Sequence, residues 1–70
     1  MEQTKLVEEI IRLSELRDGK SLAKALNIHP SIITRIRQGR RPFTPFQAKA
    51  IEVLTNGRIP RTAIRPDVFL

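Results

Sequence analysis

A chain of 70 residues carrying 13 Lys+Arg against 7 Asp+Glu, with net charge +6 and pI near 11.2, has room for one small domain with a thin core. The absence of cysteine excludes disulfides, thiol nucleophiles and thiolate metal sites, and the single histidine, His29, supplies no metal site alone, so no cofactor or metal is expected. No apolar run is long enough for a membrane span or a signal-peptide core, so the expected location is cytoplasmic, and the basic excess points first to nucleic acid.

The chain reads as all-α. From Thr4 to about Leu16, Leu6, Ile10, Leu13 and Leu16 recur at three- and four-residue steps, widened by Val7 and Ile11. Glu8, Glu9, Arg12 and Glu15 lie opposite that stripe, and the Thr4 hydroxyl is placed to cap the first turn. Asp18 is positioned to cap a second helix over Gly19–Leu26, and Asn27 tolerates the left-handed backbone that would end it. A third helix is expected to open at His29-Pro30, with Pro30 in the first turn where its missing N–H costs nothing, and to stop at Gly39 after Gln38. Arg40-Arg41-Pro42-Phe43 reads as a loop. Thr44-Pro45 repeats the cap-then-proline signal for a fourth helix through Phe46, Ala50, Ile51 and Leu54 to Asn56-Gly57. Pro60 and Pro66 interrupt the remainder, so the tail from Arg58 to Leu70 is expected to be extended or irregular.

Charge is segregated along these elements. Residues 1–19 hold three basic against five acidic side chains, whereas residues 20–70 hold ten against Glu52 and Asp67 alone. A polyanionic partner would therefore meet the second part of the chain.

Gly19 to Gln38, GKSLAKALNIHPSIITRIRQ, has the spacing of two short helices joined by a tight turn, a helix-turn-helix. Ala23 is small where the helices would come closest. Leu22 and Leu26 face the core from the first, Ile28 fills the corner, and Ile33 and Ile36 return from the second. The run resembles the helix-turn-helix of Cro- and lambda-repressor-type regulators, and the ending RTAIRPDVFL resembles the close of small prophage Cro-like proteins, including the YdaS-like group to which an antitoxin role is attributed. The likeness covers roughly residues 19–70, with the first helix as the usual helix one. It implies a four-to-five-helix lambda-repressor-like domain whose third helix enters the major groove of double-stranded DNA. Residues 1–70 then form a single domain.

On that resemblance, Ser31, Ile32, Thr34, Arg35 and Gln38 read bases. Arg35 has the strongest claim because a guanidinium pairs bidentately with guanine, and Ile32 offers apolar contact, for instance with a thymine methyl. Lys20, Ser21, Lys24, His29, Arg37, Arg40 and Arg41 flank that helix as phosphate contacts. Pro30 and Ile32 stand where polar side chains are more usual, which limits hydrogen bonding in the first turn.

Ile59, Ile64, Val68 and Phe69 leave apolar groups in a tail without helical period. They either cover the back of the domain or, with helix four, join two copies into a dimer on a palindromic operator. The leading expectation is a DNA-binding transcriptional regulator acting as a steric repressor. The alternative is an antitoxin or adaptor binding a toxin or another protein, its DNA binding autoregulatory or lost. Glu52 and Asp67 are the only carboxylates beyond residue 19 and form no evident acid–base pair, so an enzyme is not expected. A membrane partner is not expected either, since no helix joins a basic face to a large apolar one.

Overall fold

The computed structural model describes residues 3–69 and, within them, contains five helices and no strand. They are α1 (Thr4–Leu13), α2 (Gly19–Ala25), α3 (Pro30–Arg37), α4 (Pro45–Leu54) and α5 (Arg61–Ile64). No helix is long and apolar enough to cross a membrane among the described residues.

The helix starts follow local chemistry. Asp18 caps α2 by accepting the Ser21 N–H at 2.9 Å, and this bond holds its carboxyl below the usual range. His29 precedes Pro30 and caps α3 through its ring Nδ1, which accepts the Ser31 N–H at 3.1 Å. Thr44 and Gln47 form a reciprocal capping box at α4: the Gln47 N–H donates to Thr44 Oγ1 and the Thr44 N–H to Gln47 Oε1. Thr4 is not the cap of α1. Gln3 occupies that place without a side-chain bond, and Thr4 is the first helical residue.

The helix ends share one device. After each of α1 to α4, the residue one past the C-cap takes positive φ: Glu15 (58°), Asn27 (57°), Gly39 (76°) and Asn56 (54°). The next N–H then reaches back to a carbonyl of the last turn, as in Leu16 to Ile11 and Ile28 to Ala23. Here α1 departs from its expected end at Leu16. Glu15 turns the chain after Ser14, although nothing in a glutamate favours left-handed backbone.

Val7, Ile10, Ile11, Leu22, Ala23, Ile33, Ile36, Phe43, Ile51 and Ile59 form the buried core, with Leu6, Leu13, Leu16, Leu26, Ile28, Ile32, Leu54 and Ile64 packed at its margin. The centre of the α1 stripe is thus Val7–Ile10–Ile11, and Leu6, Leu13 and Leu16 are its edges. α2 packs chiefly on α3, and α5 on α4.

The tail is not extended. Its Arg61–Ile64 turn is helical, and the Arg61 N–H at its start donates to Glu52 Oε2 at 3.0 Å. Arg65 then donates to the Phe43 carbonyl at 2.7 Å while forking onto both carboxylate oxygens of Asp67 at 2.9 and 2.7 Å. That bidentate pair lowers the Asp67 pKa and raises that of Arg65. Proline interrupts helical periodicity, but it does not prevent a tail from docking through side-chain hydrogen bonds.

Candidate nucleic-acid interface

Ser31, Thr34, Arg35 and Gln38 lie at positions i, i+3, i+4 and i+7 of α3 and its C-cap, so they share one face, and all four are exposed. The opposite face inserts Ile33 and Ile36 into the core at 2% and 0% exposure. Burial of those two isoleucines therefore sets the rotation of α3 and turns the polar stripe outward. Ile32 stands apart from the stripe. It is half-buried and packs against the core, which limits what it offers a ligand.

At the start of α3, His29 Nδ1 faces both the Ser31 amide and the Ser31 Oγ, the latter at 2.9 Å. An imidazole accepting at Nδ1 carries its proton on Nε2, so the exposed ring presents one donor. Lys20, Lys24, Arg40 and Arg41 are exposed, Ser21 is half-buried, and none of Lys20, Lys24, Arg35, Arg40 and Arg41 pairs with a carboxylate among the described residues. A shallow depression of about 390 Å³ between the starts of α2 and α3 is lined by residues that include Lys20, Pro30, Thr34 and Arg37.

Arg37 is placed differently from the other cations. Its Nη2 lies 3.2 Å from Glu8 of α1, its side chain is two-thirds buried, and its Nε is enclosed with no partner among the described residues. The guanidinium packs so closely on the start of α2 that a Cβ on Gly19 would sit 3.1 Å from Nη2. Its backbone carbonyl also accepts the Gln3 N–H at 3.0 Å. Arg37 therefore clasps α3 to α1 and α2. The opposite charges of Glu8 and Arg37 are visible in the sequence, but pairing residues 29 apart requires the fold.

The tail residues divide. Ile59 lies in the core at 7% exposure and Ile64 packs at its margin, so the Ile59 side chain is not available to a partner. Phe69 is half-buried beneath the cations of Arg61 and Lys49, 5.3 and 5.9 Å from its ring centre. Val68 is 45% exposed. Among the described residues the most exposed large apolar side chains are instead on α4: Phe46 at 85% and Val53 at 75%. Among the described residues no cluster of three or more His, Cys, Asp or Glu could hold a metal.

No family model, curated protein or solved structure matches the chain.

Proposed function

We propose that this chain is a sequence-specific double-stranded DNA-binding regulator, a lambda-repressor-like helix-turn-helix domain in which α2 crosses the phosphate backbone and α3 lies in the major groove. The observation that carries the reading is the exposed stripe of Ser31, Thr34, Arg35 and Gln38, in a chain whose Lys20, Lys24, Arg40 and Arg41 are exposed with no carboxylate partner among the described residues. Four polar side chains on one helical face can meet base edges together, and Lys20, Lys24, Arg40 and Arg41 can replace counterions on the flanking phosphates. His29 contributes its single Nε2–H donor at the groove-facing end. Occupying an operator blocks other proteins from it, and this steric mechanism makes no demand on a cofactor. Regulation by a Cro-like repressor acting as two copies on a palindrome is the form the reading takes.

The test is selection of bound fragments from random duplex DNA. A reproducible consensus is expected, and Arg35→Ala should cost about 1–3 kcal/mol on that site while relaxing preference at one base pair. Absence of any enrichment, with equal retention of all duplexes, would sink the reading.

A further inference from the structure

At the exposed start of α3, two side chains fix one another's hydrogens. The Ser31 N–H donates to His29 Nδ1 at 3.1 Å, and the Ser31 Oγ lies 2.9 Å from the same nitrogen. A backbone amide always carries its hydrogen, so Nδ1 meets it with a lone pair and is itself unprotonated. The hydroxyl then has one way to make its 2.9 Å contact: its O–H points at Nδ1, because two facing lone pairs repel. The Ser31 proton is thereby used within the chain. A free serine both donates and accepts, but with its proton held by His29, Ser31 keeps only lone pairs for a ligand. Both residues are exposed, and Ser31 opens the stripe that continues through Thr34, Arg35 and Gln38.

We propose that Ser31 is a specificity-determining acceptor that selects a base bearing an exocyclic amine, adenine or cytosine, and that His29 is the positioning residue that fixes this polarity. The proposal rests on the double-stranded DNA reading and names what one position of that site selects. In the major groove adenine N6 and cytosine N4 donate, whereas guanine O6 and N7 and thymine O4 only accept. An acceptor-only oxygen pairs with the first two and opposes the others with no hydrogen between. The same polarity excludes a direct bond from Ser31 to a phosphate, whose oxygens are acceptors too. Roles therefore divide along the face. Arg35 has only donors and suits guanine, Ser31 has only an acceptor and suits the amino bases, and the His29 Nε2–H is left for a phosphate oxygen. The expected pattern at the Ser31 position is amino over keto, with adenine and cytosine both accepted. Neither an arginine nor a free hydroxyl, which pairs with donors and acceptors alike, produces that pattern.

The test pairs nitrogen-15 spectra of the free protein with selection from random duplex DNA, both in mildly alkaline buffer. The His29 ring should show an unprotonated Nδ1 and a protonated Nε2. In the selected consensus, Ser31→Ala should abolish an adenine-or-cytosine preference at one base pair and leave the other positions unchanged. His29→Asn keeps an oxygen where Nδ1 stands, and with it the α3 cap. It should retain that preference while weakening binding to all duplexes through the lost Nε2 donor. His29→Ala frees the Ser31 proton, so guanine and thymine should become accepted there, and a discrimination of roughly two- to tenfold should fall to near none. A protonated Nδ1 in the free protein overturns the proposal whatever the selection yields. So does a consensus in which Ser31→Ala changes nothing or removes a guanine or thymine preference, or in which His29→Ala lowers affinity with the preference intact. Those three results leave the operator reading standing. Absence of any consensus for the wild type overturns the operator reading, and the base selection with it.

Discussion

Replacing Thr55 by valine removes one hydroxyl and almost no volume, and the structure says what that hydroxyl does. Thr55 is fully buried at the end of α4. Its O–H donates to the Ile51 carbonyl at 2.9 Å, and its oxygen accepts the buried Ile59 N–H at 3.1 Å. The Ile51 carbonyl keeps a partner in the variant, because the Thr55 N–H also donates to it at 2.9 Å. The Ile59 amide does not. An enclosed donor left without an acceptor costs about 1–3 kcal/mol, and the added methyl returns part of that. A domain of this size has a total stability of only about 4–10 kcal/mol, so the loss is a large share. It corresponds to a fall in Tm of roughly 5–15 °C. Thr55→Ser keeps both hydrogen bonds and loses one buried methyl, at about 1 kcal/mol. Thermal and urea unfolding followed by far-UV circular dichroism should place both variants below the wild type, Thr55→Ser through the lost methyl and Thr55→Val through the unpaired Ile59 amide. A valine variant as stable as the wild type would refute the claim that this hydroxyl holds the tail to α4.

Three further outcomes separate the roles of the charged residues. Arg40→Ala and Arg41→Ala should each weaken binding to all duplexes alike and reduce the slope of log affinity against log salt by about one, measured by fluorescence anisotropy. Arg37→Ala should leave that slope nearly unchanged and lower stability instead, by up to about 1 kcal/mol from its partly exposed pair with Glu8 and more from the packing it loses. Asp18 has its folded-state pKa depressed by the Ser21 N–H, so its stabilisation is present above the unfolded carboxyl value of about 4 and is lost as pH falls through the lower folded value. Asp18→Asn, which preserves a capping oxygen, should match the wild type near neutral pH in urea denaturation and lose less stability on acidification.

Much of the architecture was legible because it is local. Asp18, Pro30 and Thr44 mark helix starts by what they offer the first-turn amides, and Asn27, Gly39 and Asn56 mark ends by tolerating positive φ. The alternation of Ile33 and Ile36 with Ser31, Thr34, Arg35 and Gln38 already orients α3, since a helix buries whichever face is apolar. The structure adds Gln47 to the Thr44 cap and completes a capping box at a spacing of three. The end of α1 was not, because Glu15 in left-handed backbone has no local cause.

What lay beyond the sequence involves side chains whose partners are distant in the chain or whose environment is set by competition for the core. Arg37 reads as one more cation until Glu8 and Gly19 are brought against it. Ile59 and Phe46 read as equally apolar, yet the core has room for the first and α4 turns the second outward, because Ala48, Ile51 and Thr55 occupy the opposite side of the same helix. Arg65 reaches back 22 residues to Phe43 while pairing with Asp67, and so folds back a tail whose prolines suggest extension. Local propensity and periodicity determine where α2, α3 and α4 begin, end and face. Only packing decides which exposed candidates remain free for a partner, since that depends on which surfaces the other helices have already covered.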